Sequence, residues 1–220
     1  MRKKILNGTP IPYGASIEEL KMCLSSPSMK DFSLACEALS HSNHPEAYAA
    51  MKAYINDEDK YRRLYILKTI FRHPQATELA NRLEESLAAE DVLFVRAALT
   101  VIAEHKIKVA DAALVAAILR HWPDLGCELL ALHTLTPGEE NYTRLTMLFK
   151  KATTCSQREF ISEVLLFRYL PEKASDLFEL FGHDPHAKIR ILSVKIGREY
   201  SLNISDFLHD PDGHVRKQAQ

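Results

Sequence analysis

The residues best suited to chemistry in this chain are histidines, cysteines and one tryptophan, and their spacing argues against a reaction centre. The close histidine pairs are His41-x2-His44, His183-x2-His186 and His209-x4-His214. A zinc or iron site needs three or four converging ligands supported by further hydrogen bonds. None of these pairs has a neighbouring Cys, and all fall where the chain reads as turns and helix caps. The four cysteines, Cys23, Cys36, Cys127 and Cys155, form no C-x-x-C pair and lie in apolar helix-like stretches. They read as buried free thiols of a reducing, cytoplasmic protein. No G-x-S-x-G, G-x-x-x-x-G-K or G-x-G-x-x-G occurs among the 7 glycines, so neither a nucleophile elbow nor a phosphate-cradling loop is expected. No catalytic residue, metal or cofactor is assigned.

Charge offers a different kind of candidate. With 28 Lys+Arg against 29 Asp+Glu, the formal net charge is −1, and the whole molecule is not drawn to polyanions. Basic residues nevertheless concentrate in two stretches. One holds Lys60, Arg62, Arg63, Lys68 and Arg72; the other holds Lys188, Arg190, Lys195 and Arg198. Arg62, Lys68, Arg72, Lys195 and Arg198 are therefore the candidate partner-binding residues, suited to an acidic protein segment or a nucleic-acid backbone.

The elements that must position these residues are repeated. Residues 57–67, 90–100, 184–194 and 210–219 share an acid followed six residues later by Arg. The pairs are Asp57/Arg63, Glu90/Arg96, Asp184/Arg190 and Asp210/Arg216. Ser33, Glu128 and Ser162 hold the Arg place in the intervening segments. His44-Pro45-Glu46-Ala47 echoes His73-Pro74-Gln75-Ala76, and His183-Asp184-Pro185 echoes His209-Asp210-Pro211. A period of roughly 30 residues with helical apolar spacing is the mark of stacked helix–turn–helix units.

Each unit reads as an A helix, an acidic turn and a B helix. The expected pairs are 16–24/31–41, 45–56/60–72, 76–89/92–106, 108–121/124–135, 139–151/156–169, 172–182/186–200 and 203–209/212–220. Pro185 and Pro211 suit a first helical position. With these bounds the B helices carry roughly +6 and the A helices are negative. The fourth B helix has no Lys or Arg, which interrupts any basic stripe. Residues 15–220 are expected to form one domain, residues 1–14 an extended leader, and no strand of useful length is seen. No apolar run approaches the roughly 18 residues of a membrane span.

The turn acid, the Val/Ile-Arg step and the small-apolar B helix resemble HEAT-like repeats, notably the short bilin-lyase type, over about residues 15–220. The resemblance implies an all-α fold, a right-handed α-α superhelix of about seven helix pairs with the B helices on its concave side. It also implies that the recurrent Asp and Arg form a structural ladder. HEAT-like hydroxylases hold iron on His-Glu dipeptides, and no His here is followed by Glu. HEAT-like alkylpurine glycosylases use aromatics and an acid in a cleft. Trp122, two residues before Asp124, is a thin echo of that and reads better as a packing residue. Tyr54, Tyr61 and Tyr65 are expected in the core. The expected function is a non-enzymatic scaffold gripping a protein partner, with nucleic-acid binding as the alternative.

Overall fold

The computed structural model describes residues 4–6, 9–11 and 15–220. The leader expected at 1–14 otherwise lies outside the described residues. Within it, Lys4–Leu6 and Thr9–Ile11 pair antiparallel with Lys4 opposite Ile11, a three-residue ladder that the sequence did not announce.

From residue 15 onward all regular structure is helical. The α-helices are α1 (Ile17–Leu24), α2 (Met29–Ser40), α3 (Pro45–Lys52), α4 (Lys60–Ile70), α5 (Ala80–Leu87), α6 (Val92–His105) and α7 (Asp111–Arg120). Then follow α8 (Glu139–Lys151), α9 (Cys155–Tyr169), α10 (Ala174–Gly182), α11 (Ala187–Glu199) and α12 (Gly213–Ala219). Tighter 3-10 turns fill Pro74–Leu79, Trp122–Asp124, Cys127–Thr134 and Ser205–His209. The expected helix pairs are all present. Three expected helices are wholly or partly 3-10: the start of the third A helix, the fourth B helix and the last A helix.

Two compact units divide the chain, one up to His121 and one from Trp122. In the first, α2 packs on α4 and α4 on α6, while α1 packs on α3 and α5 on α7. In the second, α9 packs on Cys127–Thr134 and on α11, and α11 packs on α12. Helices of the same type thus pack on one another within each unit. This is why the buried side chains recur at helical spacing on both types: Leu83 and Leu87 on α5, and Val95, Leu99 and Ile102 on α6. Burying such stripes against neighbours supplies the main stabilisation of each unit.

Local chemistry sets the helix starts. Ser16 caps α1 in a reciprocal box with Glu19, and Thr154 caps α9 in the same way with Gln157. Asp59, Asp91 and Asp212 cap α4, α6 and α12 by accepting from the amide two residues on. The His-Pro echo is a cap as well. His44 Nδ1 accepts from Glu46 N at 3.2 Å, and His73 Nδ1 accepts from Gln75 N at 3.3 Å, each followed by Pro at the first helical position. The imidazole lone pair does what an Asn or Asp oxygen usually does, so Nδ1 carries no proton in this geometry.

Pro185 and Pro211 do not take that first position. α11 begins at Ala187 after the His186 cap, and α12 at Gly213 after Asp212, so each proline precedes the cap. The reason is the preceding Asp, whose side chain closes a turn over the proline. Tyr61 also departs from expectation. It is 57 % exposed, while Tyr54 and Tyr65 are half-buried. Of the cysteines only Cys36 is buried, and burial pushes its thiol up to about 12; Cys127, at the start of a 3-10 turn, is exposed.

Two outcomes check this account. A methyl group at Gly197 would collide with Ile204 and come within 2.9 Å of Phe178, so Gly197→Ala should cost about 1–3 kcal/mol in denaturant melts. His44 is exposed, so His44→Ala removes little beyond the cap and should cost about 1 kcal/mol. His44→Asn should restore it, and an unchanged midpoint for the alanine variant would rule out the imidazole cap.

Candidate functional site

The recurrent acid and arginine form a turn clamp. In three turns the acid's Oδ1 accepts from the amide two residues on: Asp57 from Asp59 at 2.8 Å, Asp184 from His186 at 2.9 Å, Asp210 from Asp212 at 2.8 Å. In the same three turns the Arg six residues later folds back onto the backbone. Arg63 Nη1 donates to the carbonyls of Asp57 (2.5 Å) and Glu58 (3.1 Å). Arg190 does so to Asp184 (2.8 Å) and Pro185 (3.0 Å), and Arg216 to Asp210 (2.7 Å) and Pro211 (3.0 Å). The Arg six residues on therefore binds the backbone carbonyl of the Asp while the Asp carboxylate binds an amide, one group closing the turn from each side.

In the two C-terminal turns, at Asp184 and Asp210, the carboxylate also meets an arginine of the preceding helix pair. Arg190 Nε and Nη2 grip Asp210 at 2.7 and 2.8 Å, a bidentate pair only 12 % and 6 % exposed. Arg158 Nη1 grips Asp184 at 2.6 Å, and the guanidinium carbon lies 5.1 Å from the centre of the Phe149 ring. Arg158 is the residue the acid-to-Arg spacing missed. That spacing put Ser162 in the Arg place, but Ser162 is buried and its Oγ donates to Arg158 O at 2.7 Å. The signal that finds Arg158 is distance from the cap: Arg63, Arg158, Arg190 and Arg216 each follow their cap by four residues. The turn before α9 has no Asp two residues before the cap, which hid the match.

The other two placeholders and the Glu90/Arg96 pair depart from the clamp. Glu128 is buried and accepts from Gly126 N at 2.9 Å, and Ser33 donates to Lys30 O. Asp91, not Glu90, caps α6, accepting from Leu93 N and from Lys60 at 3.2 Å. Arg96 is exposed and follows that cap by five residues.

The five candidate partner-binding residues fall into two groups. Arg62 is 14 % exposed; it donates to the carbonyls of Leu24 and Ser26 and lies 4.9 Å from the Phe32 ring. It bolts α4 to the end of α1. Arg72 pairs with Glu37 at 2.6 Å, and Glu37 also accepts from Tyr65 at 3.1 Å. Lys68, Lys195 and Arg198 are exposed and have no anionic partner among the described residues. Of the five candidates, these three offer their charge outward.

Trp122 is buried, its indole N–H donating to Lys151 O at 3.2 Å while its carbonyl accepts from Gln157 at 3.1 Å. Asp124 is exposed. Among the described residues no group of three or more His, Cys, Asp or Glu is arranged to hold a metal ion. No helix among them is long and apolar enough to cross a membrane.

The grip of Arg190 holds the Asp210 carboxyl below the usual carboxylate range. Its stabilisation is complete above the unfolded-chain value of about 3.9 and is lost as pH falls through the lower folded value. Asp210→Asn leaves Arg190 half-matched and should cost about 3 kcal/mol at neutral pH. The gap between wild type and variant in thermal melts should stay constant down to about pH 5 and close below about pH 4. A gap that widens on acidification would overturn this account. Compared with protein-family models, with curated proteins and with solved structures, the chain matches none.

Proposed function

We propose that this chain is a non-enzymatic, cytoplasmic protein-interaction scaffold. In this reading it is a HEAT-like solenoid, a right-handed α-α superhelix of about seven helix pairs that binds a protein partner on its B-helix face. The observation that carries the reading is how the basic side chains are divided. Arg62, Arg63, Arg158, Arg190 and Arg216 are spent on carbonyls and carboxylates that hold turns and neighbouring pairs together. Lys68, Lys195 and Arg198 stand outward on B helices with nothing of their own to bind. Helices that pack on like helices support the repeat reading. A stack of helix pairs offers a long surface, and a few outward cations on it suit steering and register rather than chemistry.

Nucleic-acid binding is the rival, and the same division weighs against it. Phosphate binding scales with the number of cations that reach phosphates. Internal use of five arginines removes them from any phosphate-binding face, and the fourth B helix carries no Lys or Arg, so the cations left are interrupted.

Two measurements separate these. Lys68→Glu with Arg72→Glu, and separately Lys195→Glu with Arg198→Glu, should leave helicity intact by circular dichroism. At least one pair should abolish retention of a protein that wild type retains from lysate. If wild type retains none, the scaffold reading loses its support. Oligonucleotide binding followed by anisotropy should be weak at low salt. A log–log salt slope near −5, the mark of about six phosphate contacts, would put nucleic acid first.

A further inference from the structure

The C-terminal turns show what a clamp arginine binds when its partnership is complete. Arg190 spends Nη1 on the two carbonyls of its own turn and its Nε–Nη2 edge on Asp210, the acid two residues before the cap of the next B helix. Arg158 reaches Asp184, which holds the same place before the α11 cap. Each arginine follows its own cap by four residues, and each carboxylate precedes the next B-helix cap by two.

Arg63 repeats the first half of this pattern and not the second. It follows the Asp59 cap by four residues, and its Nη1 takes the carbonyls of Asp57 and Glu58, as that of Arg190 does in its own turn. Two residues before the next B-helix cap, Asp91, stands Ala89. Among the described residues no carboxylate meets the Nε–Nη2 edge of Arg63.

Arg63 and Ala89 line one cavity of about 270 Å³. Ile55, Leu67 and Phe94 form its apolar wall, and the Arg63 guanidinium carbon lies 5.7 Å from the centre of the Phe94 ring. The place that a carboxylate fills beside Arg190 is thus, beside Arg63, a small pocket bounded by α4, α5 and α6.

The surrounding charges leave the Arg63 edge uncompensated. Arg82 and Glu85, also in the pocket wall, pair with each other at 2.6 Å. The Asp57 carboxylate accepts from the Asp59 amide and lies 3.8 Å from Arg62, and Asp91 accepts from the Leu93 amide and from Lys60. Glu58 and Glu90 are exposed and do not line the pocket. A guanidinium bound only to neutral carbonyls keeps its full charge, and its planar edge matches two oxygens in one plane.

We propose that this pocket binds a carboxylate on a short apolar stem. The Nε–Nη2 edge of Arg63 takes its two oxygens, as Arg190 takes those of Asp210, and Ile55, Leu67 and Phe94 cover the stem. The carboxylate is that of a glutamate on a protein partner, which rests on the scaffold reading above, or of a short free acid.

Two measurements on the full chain test this. In the first, Ala89→Asp supplies the carboxylate from the chain itself. It should raise the thermal midpoint by about 2–6 °C, and Ala89→Asn, which keeps a turn-closing oxygen without the charge, by less than about half as much. In an Arg63→Lys background the difference between the two should shrink by about half or more, because the planar fork is gone. The second follows the Arg63 Nε–H resonance during titration with butyrate and with a blocked alanine–glutamate–alanine tripeptide. Inorganic phosphate and butyramide are the controls. Both carboxylates should shift the resonance and bind at least about fivefold more tightly than either control. Ala89→Asp should weaken them about tenfold or more, since its own carboxylate competes for Arg63. Tighter binding of the tripeptide assigns the site to a partner's glutamate, and tighter binding of butyrate assigns it to a free acid.

Equal melts for the Asp and Asn variants, an unmoved Arg63 resonance, preference for phosphate, or titrations indifferent to Ala89→Asp would each overturn the proposal. None of these uses a native partner, so their failure is separate from failure of the scaffold reading, which turns on a protein retained from lysate. Asp stands at the matching position of three other turns, so Ala89→Asp suits the fold, and unchanged circular dichroism checks that for every variant.

Discussion

The structure depends on a single recurring arrangement, a guanidinium that reaches back six residues to the carbonyls of a tight turn. A turn between two packed helices leaves several backbone carbonyls without partners, and burying them unpaired costs more than most side-chain contacts return. Arginine solves this because its planar fork can serve two carbonyls with one nitrogen and still present others to a carboxylate. Arg190 does all of this at once, closing its own turn and gripping the Asp of the next. Lysine in that place has a point charge and a flexible stem and could not hold both.

That arrangement also explains the make-up of the turns. Asp is required because one oxygen must close the turn on the amide two residues on while the other faces a neighbouring arginine. Proline between them fits because its amide is not needed there. The cap residue then follows, and the helix runs from it. The same logic accounts for the two His-Pro starts, where an imidazole replaces the carboxylate and the proline falls inside the helix instead of before it.

The helix pairs were legible in the sequence because their apolar spacing is strong and their turns carry acids and prolines. Asp57, Asp184 and Asp210 with their arginines were legible for the same reason. Arg158 was not, since the turn before α9 has Ala152 where the others have Asp, and its carboxylate partner comes from another helix pair. Nor was the fate of Arg62, which a charge count treats as equal to Lys68. Only geometry shows that one faces the end of α1 and the other faces water. The 3-10 character of Cys127–Thr134 was also hidden, because an apolar run with a helical start looks the same in either winding.

The bidentate grip of Arg190 on Asp210, together with the single bond from Arg158 to Asp184, has a consequence for motion. Opening the turn before α12 exposes a charge on α11, and opening the turn before α11 exposes one on α9. The last three helix pairs are thereby tied into a single cooperative block for amide exchange. The clamp at Asp57 has no arginine link forward, since the position two before the α6 cap is Ala89, and only the half-exposed Lys60–Asp91 pair joins α4 to that cap. Protection against exchange should then be graded: the turn before α6 opens alone, and the C-terminal block opens together or not at all.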